Sequence, residues 1–554
     1  MILDASSLTP GQTLETDVCI IGGGAAGITL ALELSGRGQQ VMLLDAGQFK
    51  EDPATQALYE GEVADEQMHS PPDKYRQRRF GGSTNIWGGR CMPFDPIDFE
   101  ARSYVENSGW PFAYQELEPY YEQANALVEA GRYAYSAKDV FPQADSALFD
   151  GFQSERVRTD GLERFSRPTN FAHRYFRRLE VSPFAQVVLG ANCTGILLEQ
   201  DGAQARGARF ATLAGVHFTV KAKRTVLATG GLETPRLLLA SRDVHSAGIG
   251  NLHDVVGRYY MCHIAGNAGE VTVDMPTSSV RHGYLVSPDG IYCRRRLALT
   301  EPEQRALGVN NVVARLHFPR ITDPAHRSGI LSGLYLAKNL ISYEYGKRLK
   351  DGEERGVGTY VRHLANVALD PLDTARFLTH WVSKRTLAAR KFPSVVLRNK
   401  TNKFSLDLHG EQIPQAQSRI TLTSEKDALG MPKMRIDWRY HRADIESIRR
   451  TLDVFAEEFN KDGRVRLVYD GEKLEDELMR FGAYGGHHIG TARMGTDPRS
   501  SVVDPDGQVH GVANLFVAGS AVFPTSSQAN PTLTIVAMSL RLASHIASRD
   551  GVRA

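Results

Sequence analysis

The first clear hydrophobic pattern in the chain is an apolar run that ends in glycines and passes directly into a helical pattern. Residues 18–21 read Val-Cys-Ile-Ile, the composition of a buried strand. Beyond the glycines, Ala26, Leu30 and Leu34 recur every four residues, as in a helix that lays one apolar face on a sheet. A second apolar run follows at 41–44. The pattern therefore predicts a strand, a glycine turn, a helix and a second strand.

The glycines of this turn have the spacing of a dinucleotide-binding loop. Gly22, Gly24 and Gly27 would provide the tight turn, the close backbone approach to a pyrophosphate and the close contact of helix and sheet. Asp45 ends the second strand about twenty residues further on, where a carboxylate can accept hydrogen bonds from a ribose. An ordinary βαβ turn is the alternative. The strand before the turn, the helix after it and the acid at this distance favour a dinucleotide site.

Later segments repeat the pattern of an apolar strand that ends in glycine. Short alternating segments at 187–223 predict a β-meander, which leads to a strand and two glycines at 225–231 and then to a helix. The segment 514–523 is a further strand of this kind. Asn530 and Pro531 are typical of an N-cap and a first helical residue, and the first turn of such a helix stabilises negative charge. We therefore expect a nucleotide-binding fold assembled from separated pieces.

The middle of the chain has a different pattern. The stretch 265–479 has no glycine-rich loop but contains β-like segments such as 418–423 and 434–438, so it predicts a sheet-based second domain. Within it, 375–390 has the pattern of a basic helix that carries Trp381. Such a helix can lie on a membrane. A packed surface helix or an oligomer contact is the commoner explanation, and the sequence favours it.

Two loop regions lie between the first strands and this middle part. The polar, proline-containing stretch 48–79 predicts a loop or lid, and its Arg76, Arg78 and Arg79 would either meet phosphate or form a solvated face. The segment 81–89 then places four glycines around hydroxyl and amide side chains, which suits backbone N–H groups that contact a flat polar ring. A structural turn is the alternative. The candidate cofactor contacts of this segment are Gly82, Ser83, Thr84 and Asn85.

Length and composition exclude several classes of protein. A chain of 554 residues exceeds the size at which single cores stop growing, so about two domains are expected. The net charge of +1 gives no support for a nucleic-acid partner. The 5 cysteines are widely spaced and form no CxxC pair, so neither a zinc site nor a disulfide framework is predicted, and no metal is expected. The N-terminus has no signal pattern and no apolar stretch is long enough to span a membrane, so we expect a cytoplasmic protein.

Taken together and in this order, the glycine-containing segments resemble those of the glucose-methanol-choline (GMC) family of flavoprotein oxidoreductases. The segments that carry the resemblance are the Gly22 loop, Gly81-Gly-Ser-Thr-Asn85, Ala228-Thr-Gly-Gly231 with Thr234-Pro235, His487-His-Ile-Gly-Thr-Ala-Arg-Met-Gly495 and Asn530-Pro-Thr-Leu-Thr534. Within the family the chain is most similar to the bacterial sugar- and glycoside-oxidising branch near pyranose oxidase, because Asn530 stands where many relatives carry a second histidine.

The resemblance implies an α/β chain, α+β overall, with a discontinuous Rossmann-like FAD-binding domain and an antiparallel-sheet substrate domain. The expected division is 13–100, 187–264 and 480–554 for the FAD-binding domain, with 480–554 also carrying active-site residues, 101–186 as a connection and 265–479 for the substrate domain. Relatives with covalently bound flavin carry the linking histidine where this chain has Ile86, so noncovalent FAD is expected. The further cofactor contacts implied are Gly519, Ser520, Pro531 and Thr532, with Gly519-Ser520 standing where an aspartate is common.

The resemblance also assigns the chemistry. His487 is the expected base that removes the hydroxyl proton of an alcohol, and Asn530 would hold the substrate oxygen by its amide. His488 is its neighbour on an extended segment, where adjacent side chains point to opposite faces, so a supporting role is expected for it. A core histidine and a plain N-cap are the structural alternatives for His487 and Asn530.

Three functions fit these residues to different degrees. The first is FAD-dependent oxidation of a primary or secondary alcohol in a sugar, glycoside or related polyol, with non-sugar alcohols as a variant. The second is a lyase of the hydroxynitrile type, which uses this fold with a redox-idle flavin. The third, a reductase fed by NAD(P)H, would need a second complete glycine loop and is disfavoured. The electron acceptor would be oxygen, a quinone or another partner, and a homo-oligomer is possible.

Overall fold

The computed structural model describes residues 1–143, 147–340, 356–388, 390–394, 397, 401–480 and 482–549. Its largest sheet, here the nucleotide sheet, has 8 strands and contains the predicted βαβ unit. In spatial order seven strands are Ile2–Asp4, Ala185–Leu189, Val41–Asp45, Thr13–Ile21, His217–Leu227, Ala205–Ala211 and Asn192–Leu198, and Leu515–Val517 pairs with His217–Leu227. The first five strands and Leu515–Val517 pair in parallel, whereas the predicted meander supplies the antiparallel edge.

A helix from the N-terminal part of the chain packs between this sheet and a helix from the C-terminal part. Helix Ala25–Gly36 packs against strand Val41–Asp45 on one side and against helix Thr532–Arg549 on the other. This double contact explains why Ile28 and Ala31 are as fully buried as Leu30, beyond the one apolar stripe that the sequence pattern predicts. Burial of each large aliphatic side chain contributes about 1.5–3 kcal/mol. The N-terminal and C-terminal parts of the chain therefore share one core.

A second sheet of 7 strands, here the substrate sheet, is antiparallel throughout. Six of its strands lie in the order Val465–Val468, Met261–Val273, Lys403–Gly410, Val312–His317, Leu297–Leu299 and Val157–Arg158, and Tyr484–Ile489 pairs with Met261–Val273. Helix Arg442–Asp462 packs against it and buries Ile448, Leu452 and Phe455 in a second hydrophobic core.

Two small sheets connect these layers. One consists of Leu285–Val286, Tyr292–Arg295, Leu162–Phe165 and Arg90–Cys91. The other joins Arg419–Lys426 and Pro432–Asp437 to Gly61–Val63. The last strand belongs to the stretch predicted as a loop or lid, which also forms helix Pro53–Ala57 with Asp52 as its N-cap. The predicted lid is thus partly regular and is fixed to the far half of the chain.

The remaining helices complete the described structure. They are Tyr114–Leu127, Ala137–Val140, Phe171–Val181, Gly230–Ala240, Glu301–Leu307, Gly329–Leu336, Val357–Leu369, Pro371–Trp381 and Leu474–Met479, with a π-helical turn at Val382–Thr386. The helix predicted at 375–390 therefore begins earlier, at Pro371, and its regular part ends at Trp381. None of the helices among the described residues combines the length and the hydropathy needed to cross a bilayer.

The predicted fold class is confirmed. A mixed, largely parallel sheet assembled from three separated stretches lies beside an antiparallel sheet, as expected. The domain boundaries stay a prediction.

Candidate active site

One cavity of about 530 Å³ contains most of the predicted site residues. Ligand pockets commonly measure about 300–1,000 Å³. The predicted residues that line it are Gly22, Gly24, Asp45, Gly82, Ser83, Thr84, His487, His488, Gly519, Ser520, Asn530, Pro531 and Thr532. Gly27 and Asn85 do not line it. Residues from both ends of the chain, more than 500 positions apart, thus meet in one cavity.

The glycine turn has the geometry of a phosphate-binding loop. Gly22 has φ +105°, and a Cβ atom there would lie 2.5 Å from the carbonyl oxygen of Ala228. A Cβ atom at Gly27 would overlap the carbonyl oxygen of Gly22, so this glycine sets the helix-to-sheet contact from behind. Gly24 is different, because a Cβ atom there would meet nothing within 4 Å. In the part of the chain that the structure describes, no side chain caps helix Ala25–Gly36 at Gly24, and the first helical turn lines the cavity. Helix N-termini of this kind suit anionic groups, and pyrophosphate binding at this turn stays a prediction.

Asp45 braces this loop. One carboxylate oxygen accepts a hydrogen bond from Gly23 N–H at 2.7 Å, and the other accepts one from Gly47 N–H at 2.9 Å. Burial raises the pKa of Asp45, and these two amides oppose that shift. The carboxylate therefore fixes the ends of two strands, and the predicted ribose contact stays a prediction.

The predicted second loop forms a 3-10 helix, Gly82–Asn85. Asn85 holds it from behind, since its amide donates to the carbonyl oxygens of Phe80 and Gly82 at 3.0 and 2.7 Å. Its own oxygen accepts from Asn170 at 2.8 Å. Asn85 is thus a supporting residue, while Gly82, Ser83 and Thr84 line the cavity.

The basic cluster before this loop is not a solvated face. Arg76 is buried and Arg78 is mostly buried, and both contact Glu233, at 3.4 and 3.1 Å. Arg76 also lies 3.6 Å above the ring of Tyr59. Burial opposes ionisation of Glu233, but the neighbouring guanidinium groups outweigh it and lower the pKa to about 2. All three arginines line the cavity, and Arg79 has its Nε atom buried and without a hydrogen-bond partner among the described residues, so phosphate contact stays a prediction.

The predicted catalytic pair meets in the cavity. His487 lies on strand Tyr484–Ile489, and Asn530 lies two residues before the first residue of helix Thr532–Arg549. The amide of Asn530 donates to His487 Nε2 at 3.1 Å. Its carbonyl oxygen is buried and has no hydrogen-bond partner among the described residues. The predicted N-cap role is wrong by one position, because the helix begins at Thr532 and the Asn530 side chain turns towards His487 instead.

Contacts behind His487 determine which of its ring nitrogens carries the proton. His263 Nε2 lies 3.3 Å from the carbonyl oxygen of Ser526, so that nitrogen must be the donor. His263 Nδ1 is then an acceptor, and it lies 2.9 Å from His487 Nδ1. His487 therefore carries its proton on Nδ1 and presents an unprotonated Nε2 to Asn530, in agreement with the amide contact on the other side.

A separate chain of the same kind supports His488. His69 Nδ1 donates to the carbonyl oxygen of Ser70 at 2.6 Å, so His69 Nε2 accepts from the Tyr260 hydroxyl at 2.7 Å. The Tyr260 oxygen then accepts from His488 Nδ1 at 2.6 Å. His488 Nε2 is left as a buried acceptor without a partner among the described residues. His487 and His488 contact two separate hydrogen-bond chains and both line the cavity, so the expected supporting role of His488 stays a prediction.

Both histidines are neutral near neutral pH. Burial first, and then the positive charge of Arg90, lower the pKa of His487 to about 4. Burial also holds the pKa of His488 and His263 well below the usual range. A neutral imidazole can accept a proton, so the electrostatics suit His487 as a base.

Among the described residues, two groups of three neighbouring side chains are of the types that bind metal ions. In His263, His409 and His487 the ring atoms lie within 4.8 Å of one another, but His487 already donates to His263. In the group His69, Cys262 and His488 the Tyr260 hydroxyl lies 2.6–3.2 Å from all three, and so occupies the centre. These contacts make both groups hydrogen-bonded clusters.

The motifs of the sequence do not include the cavity residues of the substrate sheet. Arg315, Asp407 and His409 line the cavity beside His487. They belong to no glycine motif, but a signal was present: Ser405, Asp407 and His409 alternate with Phe404, Leu406 and Leu408 along strand Lys403–Gly410. Alternation of period two places the polar set on one face. The register then puts Arg315 opposite Asp407.

Comparisons with known proteins agree with the fold. A family model described as FAD dependent oxidoreductase matches residues 17–315, more than half of the chain, and one described as GMC oxidoreductase matches 414–539. The 2-methyl-1,2-propanediol dehydrogenase of Mycolicibacterium austroafricanum is 25% identical over 97% of this chain and 96% of that protein. The C-glycoside 3-oxidase of Microbacterium trichothecenolyticum is 39% identical over 24% of this chain and 25% of that protein. The pyridoxine 4-oxidase of Mesorbium loti has a similar fold, with a TM-score of 0.56 and 18% identity over 96% of this chain and 99% of that chain.

These matches define the class. The chain belongs to the GMC family of FAD-dependent oxidoreductases, which confirms the predicted family and supports FAD as its cofactor.

Proposed function

We propose that this protein oxidises a primary or secondary alcohol of a sugar, glycoside or related polyol to the carbonyl compound. The observation that carries the proposal is the His487–Asn530 pair, 3.1 Å apart, in the same cavity as the glycine loop. The similarity to a C-glycoside 3-oxidase supports a glycoside substrate, and the similarity to a propanediol dehydrogenase makes a non-sugar alcohol the second candidate.

The residues around the cavity fit noncovalently bound FAD. The open position at Gly24 and the uncapped first turn of helix Ala25–Gly36 suit the pyrophosphate. Further contacts would come from the 3-10 helix Gly82–Asn85 and from Gly519, where a Cβ atom would also meet nothing within 4 Å. Ser520, Pro531 and Thr532 complete the set. When bound, FAD supplies the hydride acceptor of the reaction.

The two catalytic side chains divide the work on the substrate hydroxyl. His487 Nε2 is unprotonated and takes the hydroxyl proton as the carbon gives up its hydride. The Asn530 amide donates to the substrate oxygen as negative charge develops there. A hydroxyl that binds between these two groups replaces their mutual hydrogen bond, so the free protein already holds both partners in position.

An anaerobic experiment tests the proposal and separates it from lyase chemistry. The FAD-loaded protein is mixed without oxygen with sugars, glycosides, simple diols and cyanohydrins, and flavin absorbance and carbonyl products are followed. Loss of the oxidised-flavin absorbance with a sugar or glycoside is the expected result. Product formation from a cyanohydrin with an unchanged flavin spectrum would contradict oxidation and support a lyase. Reduction by simple diols alone would transfer the proposal to non-sugar alcohols.

The electron acceptor is the second half of the proposal. We propose oxygen or a quinone, and admission of air to the reduced protein distinguishes them. Rapid return of the oxidised spectrum together with hydrogen peroxide identifies an oxidase. A spectrum that returns only after a soluble quinone is added identifies a dehydrogenase.

A further inference from the structure

Helix Val357–Leu369 has the reverse of the usual arrangement of polar and apolar side chains. Its apolar residues face outward, with Val357 83%, Val361 57% and Leu364 57% exposed. These positions follow a spacing of four and three residues, so they form one stripe. The usual surface helix buries such a stripe.

The buried side of this helix is polar. Thr359 and His363 are buried, and His363 Nδ1 lies 2.9 Å from the hydroxyl of Ser332 on helix Gly329–Leu336. Asn366 donates to the same hydroxyl at 3.1 Å and to the carbonyl oxygen of Pro324 at 2.8 Å. Specific hydrogen bonds therefore fix the orientation of the helix. In this orientation the apolar stripe points away from the rest of the protein.

The next helix extends the apolar surface. Half of the large apolar side chains that are exposed among the described residues lie between 357 and 387. We call the following eight the apolar face: Val357, Val361, Leu364, Leu369, Leu372, Leu378, Val382 and Leu387. Leu369 is 83% exposed, Leu387 76% and Leu372 73%. Exposed large apolar side chains that are concentrated in one stretch of the chain, rather than scattered singly, are typical of an interaction site.

The charged residues of this segment favour one kind of partner for the apolar face. Residues 356–388 contain four arginine or lysine residues and two aspartates. Asp370 is buried and accepts from Gly329 N–H at 2.9 Å, and Asp373 contacts Arg376 at 3.5 Å. Lys384 is exposed, and Arg385 lies 5.1 Å from the ring of Trp381. A second copy of this face would bring basic groups against basic groups, whereas an anionic surface complements them.

We propose that the apolar face binds the surface of a lipid bilayer that carries anionic headgroups. Apolar side chains would enter the interface while the basic side chains meet the headgroups, as in other peripheral amphipathic helices. The same segment continues to the cavity, since Phe392 packs edge-on against Tyr284 at 5.1 Å, and both Tyr284 and Pro393 line the cavity. Bound protein would thus hold this part of the cavity wall near the lipid.

Sedimentation of the FAD-loaded full chain with vesicles tests the proposal. Vesicles of phosphatidylcholine alone are compared with vesicles that also contain phosphatidylglycerol, at low and high salt. We expect the protein to sediment with the anionic vesicles and to be released in part by salt. Leu364→Glu and Leu378→Glu should each weaken binding at least tenfold. Lys384→Glu should also weaken binding, and its effect should be larger at low salt than at high salt.

Matched variants distinguish lipid binding from other outcomes. Leu252→Glu changes a leucine that is 86% exposed outside this face and should sediment as the unchanged protein does. Bound FAD and activity with a soluble acceptor report that each variant is folded, because Leu364 does not line the cavity. Equal binding to neutral and anionic vesicles, or none to either, would overturn the proposal. It is also overturned if the protein forms a dimer that Leu364→Glu dissociates, because the face would then be a contact between copies.

Discussion

At the scale of single residues, backbone carbonyl oxygens determine which nitrogen of each cavity histidine is basic. The carbonyl of Ser526 fixes His263, which fixes His487, and the carbonyl of Ser70 acts on His488 through His69 and Tyr260. A carbonyl can only accept, so each chain has a single direction. Only His487 also contacts Asn530, which distinguishes the two adjacent histidines.

The first prediction concerns His487 itself. His487→Ala should retain FAD, because the glycine loop is unchanged, but anaerobic flavin reduction by substrate should slow about 10²- to 10⁴-fold, as is typical for loss of a general base. The rate of the unchanged protein should stay level as pH falls from neutral and decrease only near pH 4, because the pKa of His487 is lowered to about 4 and the protonated ring cannot accept a proton. Rapid-mixing kinetics against pH measures both effects. If His488→Ala slows reduction and His487→Ala does not, the assignment is wrong.

The second prediction concerns His263 as a positioning residue. His263→Leu removes the acceptor for His487 Nδ1, so the ring is free to place its proton on Nε2, where it blocks the base. Reduction should slow about 10- to 100-fold, the usual effect of removing a group that orients a functional histidine, while FAD binding and KM change little. His263→Gln keeps an acceptor oxygen and should restore most of the rate.

The control for His263 is a histidine with similar burial elsewhere. His363 is also fully buried and is hydrogen-bonded at both ring nitrogens, but it belongs to helix Val357–Leu369. His363→Gln should leave the reduction rate unchanged. Equal loss of rate in His263→Leu and His263→Gln would show that His263 acts only through packing.

At the scale of elements, what the sequence could predict depends on how local the cause is. The glycine turns, strand Val41–Asp45 and the late helix follow from spacings within about twenty residues, and they are found in the structure. The sequence predicts Asn530 as an N-cap, which is one position too early, because its side chain contacts His487, 43 residues away. Arg315 and His409 reach the cavity only through strand register across the substrate sheet, which the sequence of one strand does not contain.

The third prediction compares two glycines of the first turn. Gly24 has φ −81°, which any residue adopts, and its Cβ direction is open, so Gly24→Val should fold and yet fail to bind FAD because the branched side chain enters the cofactor space. Gly27→Val places the branched side chain against the carbonyl oxygen of Gly22. This change should destabilise the fold by about 1–3 kcal/mol or more, the usual cost of overpacking.

Flavin content and thermal unfolding midpoints of the two purified variants check this contrast. Gly24→Val is expected as colourless protein with an intact far-UV spectrum, and Gly27→Val as poorly folded protein. Full flavin content in Gly24→Val would contradict the position of the pyrophosphate site.

At the scale of the whole molecule, the fold buries several histidines in and next to the cavity, which keeps them neutral further into acid than an exposed histidine. The pKa values of His263, His409 and His488 lie well below the usual range because of burial, and neighbouring histidines and arginines add to the shift. An unfolded histidine has a pKa of about 6.5. Below that pH the unfolded chain therefore binds more protons than the folded chain, so stability decreases as pH falls.

The fourth prediction follows from this linkage. The thermal midpoint of the FAD-free protein should fall steeply below about pH 6.5, where unfolded histidines become protonated. His409→Asn removes one of the buried rings and should make the fall shallower, whatever it does to the midpoint near neutral pH. His217→Asn changes an exposed histidine and should leave the slope as it is. A slope equal in all three proteins would show that acid sensitivity arises elsewhere.

The last prediction concerns how the whole fold keeps its cofactor. Ile86 lines the cavity where a linking histidine would stand, and its side chain has no nucleophile. Cys193 also lines the cavity, but burial raises the pKa of its thiol to about 12, so it is not a thiolate near neutral pH. FAD should therefore be held by the two loops and the helix ends alone, and unfolding of the chain should release it. Heat or acid precipitation should leave FAD in the supernatant and a colourless pellet, and the mass of the denatured chain should equal that of the polypeptide. A yellow pellet, or a chain heavier by one flavin, would contradict noncovalent binding, and the mass of the peptide that carries the flavin would then identify the linking residue.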